Sequence, residues 1–414
     1  MRNGLFGILS TAASGFSNLI VQLAIAGLTT VEEFGQFAVT STTVILILGL
    51  SRAVIGQTDM LRGGRNADAG PAGAAYLMAL WLCVIGLTVV VFGFATSVSL
   101  VTTIGIAVAL SSIFVLQDSA RFRCFRLQKA GAAFASDLAV VVFALGGLYV
   151  ANRLDIVGVS GIWIWAGATL IGFVVVSLPI KYFPRRVVGR VWLVANRDLV
   201  VPSVGEYALQ SGVPYLLNWM ILALGGFEAL AGYRLIQLLF GAVLNLAQGV
   251  NAVTLPRVVN SGDPRSARVT LRREGVVIAL SGSVVFASLL LIPEDLGVAM
   301  FNATWNALGA FLIVGSLHGL LNALSVPNFS MLRLLGFATY SFYVRAWSVV
   351  VMLVLVLVGA YFLGAVGVAW GMAIAAGFAY WVRDYKVRTE LATLIRSGDS
   401  IRQRGARDSE DRDA

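Results

Sequence analysis

Four polar side chains share one face of a single apolar segment: Arg234, Gln237, Asn245 and Gln248. In a helix with about 100° between residues, they fall within about 80° of one another. A guanidinium and three amides can bind anionic and hydroxyl-bearing groups, and such groups rarely face lipid because that is costly. Gly241 lies on the same stripe and leaves space beside it. We predict that this face contacts water or a bound substrate.

The preceding apolar segment carries Glu206, Gln210, Pro214 and Asn218, each four positions apart. This set drifts gradually around a helix, and Pro214 would free a backbone carbonyl. The first apolar segment adds Ser10, Ser14, Ser17 and Asn18. We predict that the three segments surround a central polar cavity, with Gln210 and Asn218 among its substrate contacts. The alternative is that these side chains only join neighbouring helices.

Isolated charges within apolar segments are expensive and commonly functional. Arg52 and Arg345 are candidate substrate contacts, although either could extend its guanidinium to the nearer membrane surface. Arg52 could also balance Asp59 on the same helix face. Asp137 and Glu206 are the candidates for carrying a coupling proton.

The elements that hold these residues must be membrane helices, because the chain is 58% hydrophobic and 12% charged, with a mean hydropathy of +0.86. A soluble domain carries about twice that charged fraction. Crossing the hydrocarbon core takes about 20 apolar residues. This length divides the sequence into twelve segments: 4–28, 36–58, 72–95, 97–117, 131–150, 157–180, 203–225, 229–252, 275–293, 305–327, 338–361 and 364–382.

The basic residues orient these helices, since cytoplasmic loops retain Lys and Arg. With a cytoplasmic N-terminus, all 30 basic residues fall in predicted inside segments except Arg52, Arg153, Arg234 and Arg345. Both termini are therefore predicted to be cytoplasmic. Residues 391–414 mix Arg with Asp and Glu without apolar periodicity, which predicts a disordered charged tail.

The two halves of the chain align without a gap at an offset of 197 residues, so that Gly35 falls on Gly232. A pair of glycines also opens both the sixth and the twelfth segments: Gly158 and Gly161, and Gly364 and Gly367. The alternative is that membrane helices resemble one another by composition. We predict an all-α polytopic membrane protein with parallel repeats. Its two six-helix lobes, 1–198 and 199–390, would surround the central cavity.

The remaining composition argues against several functions. The net charge of +9 comes from the loops, so nucleic acid is not a predicted partner. The sequence has no Walker-type phosphate loop, and its two cysteines and one histidine lack ligand spacing. We therefore predict no ATP site, metal or cofactor. His318, the single histidine, is predicted to pack with Asn322.

Several short motifs resemble those of the polysaccharide exporters, the O-antigen-type flippases of the multidrug/oligosaccharidyl-lipid/polysaccharide superfamily. They are Thr30-Val-Glu-Glu-Phe-Gly-Gln-Phe37, Gly232-Tyr-Arg234 leading to Pro256, the basic stretch Arg121–Lys129, and the Gly364/Gly367 opening of the last segment. The resemblance covers nearly the whole chain.

This resemblance implies a transporter rather than an enzyme, located in the bacterial inner membrane among its lipids. It would flip undecaprenyl-diphosphate-linked oligosaccharides by alternating access, with H⁺ or Na⁺ as coupling ion and a glycan polymerase as partner. Arginines suit a diphosphate, but no residue role carries over by motif. The alternative is a cation-coupled multidrug antiporter of the same superfamily, which would favour acidic residues deep in the N-terminal half. Asp137 is the one candidate predicted there.

The predicted orientation can be tested with reporters inserted beside Glu32 and Asp295. Both sites should report a location outside the cytoplasm, because each lies in a loop poor in basic residues. A reporter beside Arg268 is the inside control. A cytoplasmic signal at Glu32 or Asp295 would contradict the topology.

Overall fold

The computed structural model describes residues 19–56, 70–127, 129–154, 156–182, 188–335 and 337–398. In these residues the chain is helical apart from short turns, and no strand is present. The helices are α1 Leu19–Leu28, α2 Val31–Ser51, α3 Gly70–Thr96, α4 Ser99–Arg126, α5 Ala130–Arg153, α6 Val157–Ile180, α7 Val188–Ala195, α8 Arg197–Tyr207, α9 Val213–Ser261, α10 Pro264–Leu291, α11 Glu294–Phe301, α12 Thr304–Gly309, α13 Leu312–Leu334 and α14 Ala338–Ser397.

Nine helices of the described chain are long and apolar enough to cross a membrane. Two of them each contain two consecutive helices, because α9 breaks at Gly226 (φ 70°) and α14 breaks at Gly364 (φ 57°). These φ values suit glycine, which has no Cβ to clash. Both breaks lie where a turn between two spans was predicted. With α1 in the first predicted segment, each of the twelve segments contains a helix, and the all-α polytopic prediction is confirmed.

Several helices are longer at their charged ends than the apolar pattern predicted. Helix α4 continues to Arg126 instead of ending at residue 117, and α10 begins at Pro264 instead of 275. Helix α14 continues to Ser397, so residues 391–397 of the predicted tail are helical. The rest of that tail, from residue 399, lies outside the described residues. Hydropathy marks the residues that suit the hydrocarbon core, whereas a helix continues until its terminal backbone groups are capped.

The caps account for two of these helix starts. Thr30 Oγ1 accepts a hydrogen bond from the Glu33 amide at 3.3 Å, and Glu33 Oε2 accepts one from the Thr30 amide at 2.9 Å. This capping box starts α2 at Val31 rather than near residue 36. Asp263 accepts from the amides of Arg265 and Ser266, both at 3.0 Å, and so starts α10.

The basic stretch between the sixth and seventh predicted spans contains a further helix, α7, and the start of α8. Trp192 of α7 is buried against Ile55, Ala74 and Ala75, while Val191 on the neighbouring face is exposed. An amphipathic helix of this kind buries its apolar face against the protein. Helix α7 therefore packs against the end of the second span and the start of α3.

The chain divides into two compact units. Unit 1 comprises residues 1–222, 226–231 and 298–305, and unit 2 comprises 223–225, 232–297 and 306–414. Within unit 1, Trp165 is buried and its ring lies 4.6 Å from the Phe114 ring and 5.9 Å from the Phe37 ring. Within unit 2, Leu332 and Leu391 share a buried cluster. The predicted lobes, 1–198 and 199–390, are defined by sequence repetition and stay a prediction.

Several glycines lie where two stretches of backbone approach closely. A Cβ on Gly367 would collide with the Gly359 carbonyl, and a Cβ on Gly359 would collide with the Gly367 carbonyl. Gly35 and Gly232, which the predicted repeat aligns, also lie directly against the backbone of another segment. Small residues of this kind allow helices to pack closely in lipid. At the start of the last segment, Gly364 thus breaks the helix and Gly367 packs against the backbone of Gly359.

Substituting Gly367 tests this contact. Gly367→Ala should lower stability by about 1–3 kcal/mol through overpacking, seen as a lower thermal midpoint of the purified protein in detergent. Gly275→Ala is the matched control, because a Cβ there would meet nothing within 4 Å and alanine favours a helix. Equal thermal midpoints for both variants would show that the backbone around Gly367 shifts to accommodate the methyl group without loss of stability.

Candidate functional site

Unit 1 contains a cavity of about 60 Å³, large enough for a few water molecules. Phe114 and Trp165 form part of its apolar wall. Its polar lining is unusual for an apolar protein interior: Gln22, Arg52, Gln117, Asp118, Arg121, Asp137 and Thr169. Four of these residues, Arg52, Asp118, Arg121 and Asp137, form what we call the charge cluster.

Arg52 and Asp118 form the most regular pair of the charge cluster. Arg52 donates from Nε to Asp118 Oδ2 and from Nη2 to Asp118 Oδ1, both at 2.8 Å. Two parallel hydrogen bonds between charged groups are the strongest arrangement for a guanidinium and a carboxylate. The Asp118 side chain is 2% exposed, whereas that of Arg52 is 40% exposed. Asp118 therefore fixes a guanidinium that the protein covers only in part.

Arg121 joins the two aspartates of the charge cluster. Its Nη1 donates to Asp118 Oδ1 at 2.9 Å, and its Nε lies 3.0 Å from Asp137 Oδ1. The second contact is an ion pair without hydrogen-bond alignment. All three side chains are nearly inaccessible to solvent. Two guanidiniums and two carboxylates make the charge cluster neutral, which is how proteins usually keep charges inside.

Three helices position the charge cluster. Helix α2 ends in a π-helical turn, Arg52–Gly56, a wider turn that often occurs at functional sites. Helix α4 supplies Gln117, Asp118 and Arg121, and α5 supplies Asp137. Gln117 Nε2 donates to Ser136 Oγ at 3.0 Å, and Ser136 Oγ donates to a carbonyl of α6 at 2.8 Å. These bonds hold α4, α5 and α6 together beside the cavity.

Sequence reasoning identified half of the charge cluster. It named Arg52 and Asp137, and the structure brings both into one cavity. It missed Asp118 and Arg121 because the fourth span was predicted to end at residue 117. A signal was present, since no Gly or Pro occurs between residues 117 and 127 to stop the helix.

The structure gives Arg52 a partner that the sequence did not suggest. Its guanidinium pairs with Asp118 of another helix, whereas Asp59, the suggested partner, lies outside the described residues, so that pairing stays a prediction. The statement that Asp137 is the one helical carboxylate of the N-terminal half was wrong, because Asp118 lies on α4 and is buried. Distant pairs of this kind depend on how helices pack, which spacing along one helix does not reveal.

In unit 2, the predicted polar stripe lies on α9 and becomes more exposed along its length. Arg234 is 5% exposed and its Nη1 donates to Gln237 Oε1 at 3.4 Å. Asn245 is half-buried and Gln248 is exposed. A Cβ on Gly241 would meet nothing within 4 Å, so the space predicted beside it exists. Contact of this stripe with a substrate stays a prediction.

The other predicted site residues belong to both units. Asn218 is buried in unit 1, whereas Arg345 of unit 2 lies with its guanidinium 4.8 Å from the centre of the Phe329 ring. The side chains of Gln210 and Glu206 lie outside the described part of the structure. Their roles, and the role of Asp137 in coupling, stay predictions.

Two further polar groups in unit 2 differ from expectation. His318 Nδ1 lies 2.9 Å from the Tyr233 hydroxyl, so its partner is not Asn322, whose side chain is exposed. Glu274 is buried on α10 and accepts a hydrogen bond from Thr254; the predicted helix start at 275 had left it in a loop. Among the described residues, no three His, Cys, Asp or Glu side chains gather as a metal site.

Comparison with solved structures shows the fold. An inward-facing multidrug resistance MATE family transporter of the MOP superfamily superposes with a TM-score of 0.62 at 17% identity, over 92% of this chain and 96% of that one. A MATE protein in the bent conformation superposes with a TM-score of 0.55 at 15% identity, over 96% of this chain and 99% of that one. A MOP superfamily transporter from Pyrococcus furiosus superposes with a TM-score of 0.54 at 15% identity, over 95% of each chain. The reversed polarity of the binding pocket of that protein suggests that its function differs.

No family model and no curated protein matches this sequence. At identities below 20% the likeness concerns the architecture alone. The chain has the all-α polytopic membrane fold of MATE family transporters.

A double-mutant cycle tests the charge cluster. Asp118→Asn should destabilise the protein by about 3 kcal/mol, because it leaves buried Arg121 with one carboxylate partner fewer. Arg52→Gln should cost less, since Arg52 is partly exposed. The double variant should cost less than the sum of the two. Denaturation of each purified variant in detergent measures these values, and strict additivity would contradict the pairing.

Proposed function

We propose that this chain moves an anionic lipid-linked oligosaccharide across the membrane by alternating access. The observation that carries this proposal is that both buried aspartates described in unit 1 are held by arginines. A carrier of cations needs carboxylates whose charge is available, whereas here it is compensated within the charge cluster. A cargo with a diphosphate would instead meet the arginines.

Arg52 is suited to such a contact. A guanidinium has five N–H donors, and the pair with Asp118 uses those of Nε and one of Nη2. The remaining donors belong to a side chain that is 40% exposed. Asp118 thus holds the group in place in advance, which reduces the entropy lost when an anion binds.

The stripe on α9 supplies the second part of the proposal. Arg234 would contact phosphate, and the amides of Gln237, Asn245 and Gln248 would contact sugar hydroxyls. Amides both donate and accept, as hydroxyls do. The open space beside Gly241 leaves room for a bulky group, and Arg345, Gln210 and Asn218 are the further proposed contacts.

The resemblance to polysaccharide exporters supports the location, the cargo and the coupling that we propose. We place the chain in the bacterial inner membrane with both termini in the cytoplasm, and we assign it no catalytic reaction. Its cargo would be an undecaprenyl-diphosphate-linked oligosaccharide flipped to the outer leaflet, where a glycan polymerase would use it. Asp137 and Glu206 are the proposed coupling residues for H⁺ or Na⁺.

A cation-coupled multidrug antiporter is the second candidate. Asp118 and Asp137 are buried beside a cavity in unit 1, and the fold is that of MATE family transporters. The two candidates differ in cargo charge. Efflux of a cationic dye driven by a proton or sodium gradient, without translocation of lipid-linked oligosaccharide, would favour the antiporter and contradict our proposal.

Arg234→Ala tests the proposed function directly. The variant should lower the rate of translocation of a fluorescent undecaprenyl-diphosphate-linked oligosaccharide in proteoliposomes at least tenfold, because a hydrogen bond to a charged group contributes about 1.5–3 kcal/mol. It should insert and purify like the unchanged protein.

Arg153→Ala is the matched control. Arg153 is exposed at the end of α5, where its guanidinium contacts the Tyr149 ring, and its loss should leave the rate unchanged. An unchanged rate for Arg234→Ala would remove Arg234 from the cargo site.

A further inference from the structure

Arg383 of unit 2 is a buried cation that lies against an aromatic ring. It is 5% exposed, and its Nε is buried without a hydrogen bond to any described residue. Its guanidinium lies 5.9 Å from the centre of the Phe329 ring, which Arg345 also approaches, at 4.8 Å. An aromatic face attracts a cation but accepts few of its hydrogen bonds. Removing a guanidinium from water without such bonds is costly.

Neighbouring charges on α14 are already paired with one another. Arg388 Nε lies 2.7 Å from Asp384, and Lys386 Nζ lies 2.7 Å from Glu390. Within the described chain, Arg383 takes part in none of these ion pairs. The carboxylates closest in sequence therefore do not balance it, and an anion from outside the chain would.

Exposed aromatic residues indicate the depth of Arg383 in the membrane. Trp381 and Tyr385 are about two-thirds exposed, and their rings stack at 6.2 Å. Tyr343, two positions before Arg345 in the sequence, is also exposed. Exposed Trp and Tyr concentrate where the hydrocarbon core meets the headgroups. A rise of about 1.5 Å per residue places Arg383 within about 3 Å of Trp381 along the axis, near the depth of lipid phosphates.

We propose that Arg383, together with Arg345 on the same aromatic ring, binds a phosphate group of a lipid. Guanidiniums present planar pairs of donors that match phosphate oxygens, and bonds between charged groups are the strong ones. The phosphate could belong to the headgroup of an anionic phospholipid or to the diphosphate of a lipid-linked cargo. The site differs from the charge cluster and from the stripe on α9, and it does not depend on the proposed function, since a headgroup would fill it whatever the cargo.

Binding measurements on the full chain test this proposal. The purified protein, in a maltoside detergent that carries no phosphate, is titrated separately with short-chain phosphatidylglycerol and with undecaprenyl diphosphate. Arg383→Gln should weaken binding of at least one of these at least tenfold, and Arg383→Lys should fall between, because lysine keeps the charge but not the planar donors.

Arg388→Gln is the matched control. It removes the same charge from the same helix, but Arg388 is 70% exposed and already bound to Asp384. Its affinities should stay within about twofold of the unchanged protein, as exposed pairs contribute little.

The two ligands distinguish the sources of the phosphate. Weaker binding of phosphatidylglycerol alone assigns the site to a headgroup, weaker binding of undecaprenyl diphosphate alone assigns it to the cargo, and weaker binding of both indicates a site for any lipid phosphate. Unchanged binding of both overturns the proposal. If Arg383→Gln does not fold, Arg345→Gln takes its place, and unchanged affinities there overturn the proposal equally. Translocation rates are measured separately, so a failed flippase assay leaves this result intact.

Discussion

The cost of an ionised group away from water is the constraint on which this structure depends. Moving such an ion into a medium of low dielectric constant costs several kcal/mol even after the protein relaxes, and lipid offers no hydrogen bonds in return. Most basic residues of the sequence therefore fall outside the predicted apolar segments. In unit 1, the two hydrogen bonds that Arg52 donates to Asp118, both at 2.8 Å, replace water that the buried carboxylate has lost.

Asp118 has a central position in unit 1 because one carboxylate accepts from two arginines on different helices. It connects the π-helical turn after α2 with α4, and Arg121 extends the connection to Asp137 on α5. Arg383 in unit 2 is the opposite case, since an aromatic ring rather than a carboxylate lies beside it. A compensated pair needs no further partner, whereas an uncompensated guanidinium is stabilised when an anion binds.

The ends and breaks of the helices follow a second rule, that backbone groups must be satisfied where lipid cannot satisfy them. Helix α2 starts at a capping box formed by Thr30 and Glu33, and the breaks at Gly226 and Gly364 occur where glycine alone tolerates the backbone angles without strain. These signals are local, so the turns near residues 226 and 364 were predictable. The extension of α4 to Arg126 was missed, because hydropathy falls at the membrane surface while the hydrogen bonds of a helix continue.

The amino-acid sequence by itself determined that the protein folds in lipid, that it is helical and how many apolar segments it has. Each of these properties depends on composition and on periodicity within one segment. It also determined which charges lie in unfavourable surroundings, among them Arg52, Asp137 and Arg234. Only the tertiary structure decided which of these charges meet. Asp118 approaches Arg52 across 66 positions of sequence, and Arg383 approaches Phe329 from another helix. Such contacts arise from the packing of helices, and no spacing along a single helix specifies them.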